Sequence, residues 1–259
     1  AYYFCEKGIF DIDKLNLIED YPNKQFFKEK VKQGEIHKHW ETSQKNIRDQ
    51  KKVKFLKTHN SLITAFGNDF TKPEYTLGVI YVIRDPRNVI TSVKNHNDLD
   101  SYDEALKFMQ DENKVLEDYP HLKNYAKTNI VNSWRINYRS WLSNKSFRRV
   151  TIRYEDMVKN PTQTFEKLVV FVNTLMRFDN KIDQKKLNNA IDTTNFKSLQ
   201  NIENAGKFGE NVYSLKDNRK IKFFYQGPEN DWKKNLDENM IKKMNEYYRN
   251  DLKFFQYEN

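Results

Sequence analysis

Arg84 and Ser92 have the side-chain types and the spacing to bind a phosphate together. Arg84 follows residues 78–83, a short apolar run rich in β-branched side chains that predicts a strand buried on both faces. Asp85 and Pro86 are typical of a helix start, which places Ser92 about two turns along that helix. A guanidinium and a hydroxyl placed in this way can hold one phosphate. An arginine in a surface ion pair and a serine on an exposed helix face are equally compatible with this stretch.

A second chemical pattern, Lys57-Thr58-His59, follows a strand predicted over residues 53–56. Residues two apart in an extended chain point to the same side, so Lys57 and His59 share one side of the strand end. A lysine can neutralise an oxyanion, and an imidazole that titrates near neutral pH can take a proton from an attacking hydroxyl. A chance pair of basic residues at a strand end explains the same pattern without any chemistry.

The elements that carry these residues alternate along the chain. Strands are predicted over residues 53–57, 78–83 and 149–154, and helices over 86–95, 102–113, 132–142, 160–176 and 231–249. The alternation predicts an α/β fold, with a parallel sheet covered on both faces by helices. Ligands of such sheets bind at the carboxyl ends of the strands, so we expect Lys57, His59 and Arg84 along one edge.

Other segments are interpreted from weaker local signals. Residues 11–20 and 24–32 are predicted to be short helices, 62–75 a loop, and 111–128 a polar connection. Residues 206–222 form an irregular stretch long enough to be a lid over the site.

The composition limits the class of protein. At 259 residues, with 18 Phe and 15 Tyr, the chain can build a sizeable core despite a hydrophobic share of 37%. The formal charge of +9 favours an anionic partner, although a lysine-rich surface is the plainer interpretation. The single cysteine fits a reducing compartment, for which we expect the cytoplasm. No apolar run approaches the roughly 20 residues of a membrane span.

Nearly the whole chain resembles the cytosolic-type sulfotransferases, and bacterial members in particular. These enzymes use 3′-phosphoadenosine 5′-phosphosulfate (PAPS) as their sulfuryl donor. The resemblance rests on short segments that occur in the family's order: Lys57-Thr58-His59, Ile83-Arg84-Asp85-Pro86-Arg87 with Ser92, a Trp-rich helix from Ser133 to Trp141, Arg153-Tyr154-Glu155-Asp156-Met157, Thr194-Asn195-Phe196, and Gly227 with Asp231-Trp232. It implies a P-loop-type three-layer fold, a parallel sheet flanked by helices, as one domain over residues 1–259.

The resemblance also implies the chemistry. His59 would be the general base, and Lys57 would contact the transferring sulfuryl group. The acceptor would be a small molecule with a hydroxyl or amine rather than a nucleic acid, and the product nucleotide would be adenosine 3′,5′-bisphosphate (PAP). No metal is implied, and the sequence offers no evident ligand set for one.

For the nucleotide, the resemblance implies a site made from several segments. Arg84 and Ser92 would hold the 3′-phosphate, and the Gly227 N–H could add a contact. The adenine would lie beside a set of residues from two later segments, namely Tyr154, Thr194 and Phe196.

Two features depart from the family pattern. The strand and loop that cradle the 5′-phosphosulfate are not found, and by comparison with the segment Gly8-Ile9-Phe10-Asp11 they would be expected just before Ala1. The family's basic pair near the carboxyl terminus is replaced by Tyr225 and Gln226. Other cations nearby could supply the charge: Arg219, Lys220 or Lys222.

Two other functions are compatible with the sequence. A P-loop nucleotide kinase shares the α/β core, but it would need a Walker-type lysine and a Mg²⁺ site. A non-enzymatic binder of polyanions or nucleic acid would account for the +9 charge.

Overall fold

A computed structural model gives the chain a mixed α/β architecture. It describes residues 1–5, 7–9, 18–50, 53–117, 125–179, 181–208, 212–214 and 216–257. The α/β class predicted from alternating strands and helices is confirmed. Within the described ranges, none of the helices combines the length and apolarity that a bilayer-spanning segment requires.

Short strands run through the chain. They are β1 Ile18–Asp20, β2 Phe55–Lys57, β3 Thr64–Ala65, β4 Asn68–Asp69, β5 Val79–Ile83, β6 Val115–Leu116, β7 Asn129–Ile130, β8 Arg149–Arg153, β9 Val212–Tyr213 and β10 Lys220–Ile221. β5 and β8 pair in parallel, from Val79 opposite Arg149 to Ile83 opposite Arg153. β1 and β2 form a second parallel pair. The parallel arrangement predicted for the second and third strands is therefore confirmed.

Helices connect and cover these strands. They are α1 Trp40–Asp49, α2 Pro86–His96, α3 Tyr102–Gln110, α4 Trp134–Ser143, α5 Tyr154–Lys159, α6 Pro161–Met176, α7 Gln184–Thr193, α8 Phe196–Asn204, α9 Trp232–Asn235, α10 Glu238–Tyr247 and α11 Arg249–Phe254. The single terminal helix expected over 231–249 is instead divided into α9, α10 and α11, which continue beyond that range.

The start of α2 follows from local sequence chemistry. Asp85 is the N-cap, and its side chain accepts the Arg87 N–H at 2.9 Å. Pro86 stands in the first turn, where a missing N–H leaves no hydrogen bond unmade. Glu155, just after β8, accepts the Asp85 N–H at 3.0 Å. The junction between β5 and α2 is therefore fixed against the neighbouring strand.

Two hydrophobic clusters hold the helices in place. One lies between β5, α2, α3, α4 and the C-terminal helices and includes Ile83 and Tyr248. The other is built around Trp40 in the N-terminal part of the chain. α4 contributes Tyr138 to the first cluster and Trp141 to the second. The aromatic stripe of α4 is therefore core, as its helical spacing predicts.

Two expectations about the strands are wrong. Residues 18–20 form a strand rather than the end of a helix, because they pair in parallel with β2 far along the chain; the preceding residues 10–17 lie outside the described ranges. β5 is not buried on both faces, since Ile80 is 38% and Val82 is 52% exposed. The described residues therefore cover this face of β5 only in part, with Phe171 and Leu175 of α6 packed against Gly78 just before the strand.

Segments expected to be irregular contain short ladders. Residues 62–75 hold the antiparallel hairpin β3–β4, and β6 pairs with β7 across the connection that includes 118–124, which lie outside the described residues. In the stretch 206–222, β9 pairs with β10. Residues 24–32 contain one 3₁₀ turn, Lys24–Phe26, rather than a longer helix.

Candidate active site

Arg84 lies at the centre of the candidate site, one residue beyond β5. Its Nη2 donates a hydrogen bond to the carbonyl oxygen of Gly227 at 2.7 Å. Its guanidinium carbon stands 4.2 Å from the centroid of the Tyr154 ring, which is a cation–π distance. The structure therefore brings together three residues that the sequence assigned to the nucleotide, from distant parts of the chain.

The surroundings leave Arg84 a partly desolvated cation. Burial lowers the pKa of its guanidinium, while Tyr154, Glu155 and Asp85 raise it. An arginine keeps its proton at neutral pH under such a shift. Its Nε is buried and has no hydrogen-bond partner among the described residues. Because a buried donor without an acceptor costs free energy, an anionic ligand here would be stabilised.

The register of β5 and β8 sets this geometry. Ile83 pairs with Arg153, so Arg84 and Tyr154 leave adjacent parallel strands at the same level. Burial raises the pKa of the Tyr154 hydroxyl, which keeps the ring neutral beside the cation. Glu155 adds a restraint that the sequence did not predict, since its carboxylate binds the Asp85 backbone. The sequence around Glu155 does not indicate from which N–H group its carboxylate accepts a hydrogen bond.

Gly227 occupies a position that a larger residue could take only after a shift. Its φ of +52° lies in the left-handed region, where glycine is favoured. A Cβ at this position would stand 2.2 Å from Cε2 of Phe196. The Phe196 ring therefore packs directly on the glycine, which adds a fourth predicted residue to the group around Arg84.

The segment around Gly227 is anchored to α2 on both sides. Before it, Nδ2 of Asn95 donates to the Lys222 carbonyl oxygen at 3.0 Å. After it, the Trp232 N–H donates to Oδ1 of Asn88 at 2.9 Å. The sequence did not point to Asn88, because a polar residue in the first turn of a helix is too common to signal a tertiary contact.

The expected basic pair is replaced by neutral side chains that lie near α9. The Gln226 and Asn235 amides exchange hydrogen bonds at 3.1 and 3.4 Å, and Tyr225 is 46% exposed. Arg219, one candidate for the missing charge, pairs with Asp98 at 3.2 Å. That ion pair holds Arg219 against the connection that follows α2.

Ser92 and Thr194 are the two other residues that the sequence assigned to the nucleotide. Ser92 lies on α2 with its side chain exposed. Thr194 caps the end of α7, where its Oγ1 donates to the Ala190 carbonyl oxygen at 2.5 Å. Among the described residues, no hydrogen bond joins either hydroxyl to Arg84. The observed bond gives Thr194 a local role in ending the helix.

Lys57 is the last residue of β2. Its Nζ lies 3.3 Å from Oδ1 of Asp20, the last residue of β1, and both side chains are more than a third exposed. Ion pairs with this much exposure are screened by water and contribute little free energy. An anionic ligand could therefore replace Asp20 at small cost.

The backbone of His59 is held by asparagines while its imidazole is exposed. The His59 N–H donates to Oδ1 of Asn129 at 3.4 Å, and Nδ2 of Asn137 donates to the His59 carbonyl oxygen at 3.0 Å. Oδ1 of the same Asn137 accepts the Tyr81 hydroxyl at 2.8 Å. Asn137 thus ties His59 to β5, the strand that leads into Arg84. The sequence did not predict this link.

The arrangement suits an anionic ligand with an aromatic base. The partly buried Arg84 guanidinium contacts Tyr154 and Gly227, Phe196 packs on that glycine, and Lys57 and His59 lie at and just beyond the end of β2. Among the described residues, no group of three or more His, Cys, Asp or Glu could hold a metal ion.

Solved structures of other proteins share this fold. Mouse sulfotransferase SULT7A1, solved with PAP, has a TM-score of 0.52 at 14% identity, over 82% of this chain and 70% of that one. Retinol dehydratase, solved with androsterone and the inactive cofactor PAP, has a TM-score of 0.51 at 18% identity, over 78% of this chain and 54% of that one. The predicted sulfotransferase-like fold is confirmed.

The sequence itself matches a family model. The model describes the sulfotransferase domain, and the match runs over residues 6–256, almost the whole chain. The chain therefore belongs to the sulfotransferase domain family.

Proposed function

We propose that this protein transfers the sulfuryl group of PAPS to a hydroxyl or amine of a small molecule. The observation that carries the proposal is the partly buried Arg84 guanidinium, bonded to Gly227 and stacked on Tyr154 at the carboxyl ends of two parallel strands. A charged donor fork beside an aromatic ring suits a phosphate attached to an adenosine. Family membership and the presence of PAP in both similar structures support this assignment.

In this proposal, the 3′-phosphate distinguishes the donor from ordinary adenine nucleotides. It binds at Arg84, whose buried Nε has no protein acceptor among the described residues. The Gly227 N–H and the Ser92 hydroxyl are further donors to the same phosphate. The adenine lies against the Tyr154 ring, which stacks on Arg84, and against Thr194 and Phe196 from a later segment.

The chemistry takes place at the end of β2. His59 removes the acceptor's proton as the acceptor oxygen or nitrogen attacks sulfur. The new bond forms in line with the bond from sulfur to the 5′-phosphate oxygen, and that bond breaks with its electron pair leaving on PAP. Lys57 exchanges Asp20 for the substrate and stabilises charge on the sulfuryl oxygens. Alignment and fixed positive charge supply the rate enhancement, so no covalent intermediate is needed.

A transfer assay tests the proposed reaction. The protein is incubated with PAPS labelled with radioactive sulfur and with a panel of phenols, alcohols and amines, and a parallel reaction contains ATP with Mg²⁺. We expect acceptor-dependent transfer of label, with release of PAP and no phosphoryl transfer from ATP. Phosphoryl transfer from ATP, or no transfer of label to any acceptor, would overturn the proposal.

A further inference from the structure

One face of α8 lies against the backbone that leads to Gly227. Phe196, Gln200 and Glu203 are spaced by four and three residues, so they share a face of the helix. The Phe196 ring packs on Gly227, and Nε2 of Gln200 donates to the Phe224 carbonyl oxygen at 3.3 Å. Glu203 makes the remaining contact of this face, also with backbone. α8 thus touches the segment at several successive points.

Glu203 binds that backbone through both oxygens of its carboxylate. Oε1 accepts the Phe223 N–H at 2.6 Å, and Oε2 accepts the Phe224 N–H at 3.0 Å. The residue is only 5% exposed. A carboxylate this buried needs strong hydrogen bonds or an ion pair. Two successive backbone N–H groups meet that need here, which fixes their position relative to α8.

The aromatic side chains of the same two residues reinforce the contact. The Phe208 ring centroid lies 5.0 Å from that of Phe223 and 4.9 Å from that of Phe224. Phe224 also meets Phe196 edge-on at 6.1 Å. A shift of the backbone away from Glu203 would therefore disturb the ring that packs on Gly227.

We infer that Glu203 is a positioning residue for the 3′-phosphate site. It fixes the backbone of Phe223 and Phe224, three to four residues before Gly227. The Gly227 carbonyl oxygen in turn accepts a hydrogen bond from the Arg84 guanidinium. The inference rests on the proposed function, since it assigns the 3′-phosphate to Arg84 and Gly227. It adds a residue that touches neither nucleotide nor acceptor but sets where the phosphate donors lie.

The substitution Glu203→Gln tests this role with almost no change in volume. One carboxylate oxygen becomes an NH₂ group, so a donor faces a backbone N–H donor and one hydrogen bond is lost. We expect the affinity for PAP to fall about tenfold or more, the scale of one hydrogen bond to a charged group, while the affinity for AMP changes less than about twofold. Calorimetry measures both affinities, and amide hydrogen exchange of Phe223 and Phe224 reports the backbone directly.

The control is Glu229→Gln, an exposed glutamate in the same segment, which should leave both affinities and the exchange rates unchanged. A wild-type protein with no preference for PAP over AMP would refute the proposed function. If the preference exists and survives in Glu203→Gln, only the positioning role is refuted. Should Glu203→Gln fail to fold, Gln200→Leu removes the neighbouring bond to Phe224. That variant should lower PAP affinity by about threefold or more, and unchanged affinity would overturn the inference.

Discussion

Arg84 donates a hydrogen bond to the Gly227 carbonyl oxygen at 2.7 Å, although 143 positions separate the two residues. The bond joins the end of a parallel strand to a loop near the C-terminus. It also holds the guanidinium beside Tyr154, so the charge, the aromatic ring and the glycine loop form one unit.

Replacing Arg84 by Ala should weaken nucleotide binding strongly. The variant loses the donor fork assigned to the 3′-phosphate, so we expect PAP affinity to fall by about 1.5–3 kcal/mol, or roughly 10- to 150-fold. Titration calorimetry measures the change. Arg249→Ala, which removes an exposed arginine elsewhere, is the matched control and should bind PAP normally. Unchanged PAP affinity in Arg84→Ala would remove Arg84 from the site.

Replacing His59 by Ala should separate catalysis from binding. Loss of the general base should lower the rate of sulfuryl transfer by about two orders of magnitude or more, while PAP affinity stays close to that of the wild type. Steady-state transfer rates and calorimetry provide the two measurements. His39→Ala is the control, because His39 packs edge-on against Phe27 and has no proposed role. Near-normal turnover in His59→Ala would show that another group takes the proton.

Replacing Gly227 by Ala should lower the stability of the protein more than replacing a glycine of similar backbone conformation elsewhere. Gly206 has a φ of +70° and open space where a Cβ would stand. Gly206→Ala should therefore lower the free energy of unfolding only by the cost of a left-handed alanine, about 1–2 kcal/mol. Gly227→Ala carries that cost and also collides with the Phe196 ring. We expect a lower melting temperature than for Gly206→Ala and weaker PAP binding. Equal melting temperatures with unimpaired binding would contradict the close packing on Gly227.

Replacing Asp251 by Ala should lower stability without touching the site. The Asp251 side chain is fully buried, accepts from Nε of Arg135 at 2.9 Å, and accepts the Tyr138 hydroxyl at 2.5 Å. Removing the carboxylate leaves the Tyr138 hydroxyl without this acceptor, and an unsatisfied buried donor typically costs about 1–3 kcal/mol of unfolding free energy. Asp103→Ala breaks an exposed pair with Lys243 and should cost about 1 kcal/mol or less. Urea unfolding measures both, and similar costs would mean that burial does not strengthen the Asp251 pair.

Features with local causes could be predicted from the sequence. The junction of β5 and α2 is one example, because the Asp85 cap and the Pro86 first turn are encoded within a few residues. The core stripe of α4 is another, since its spacing alone places Tyr138 and Trp141 on buried faces. The order of the short motifs was enough to assign Arg84, Gly227 and Tyr154 to the same nucleotide. The structure places Arg84 in contact with the other two residues.

Features with distant causes could not be predicted. β1 is a triplet with two acidic residues that becomes a strand only by pairing with β2. The carboxylates of Glu155 and Glu203 accept hydrogen bonds from particular backbone N–H groups. The residues next to each glutamate in the sequence do not predict those partners. The exposure of Ile80 and Val82 likewise depends on which elements cover β5, rather than on the apolar run itself.

A crystal structure of the protein with bound PAP would decide whether the Arg84 unit is a nucleotide site. We predict that the 3′-phosphate oxygens lie within hydrogen-bonding distance of the Arg84 guanidinium, with the adenine between Tyr154 and Phe196. A PAP molecule bound elsewhere, with Arg84 still bonded to Gly227 and no phosphate beside it, would contradict the assignment.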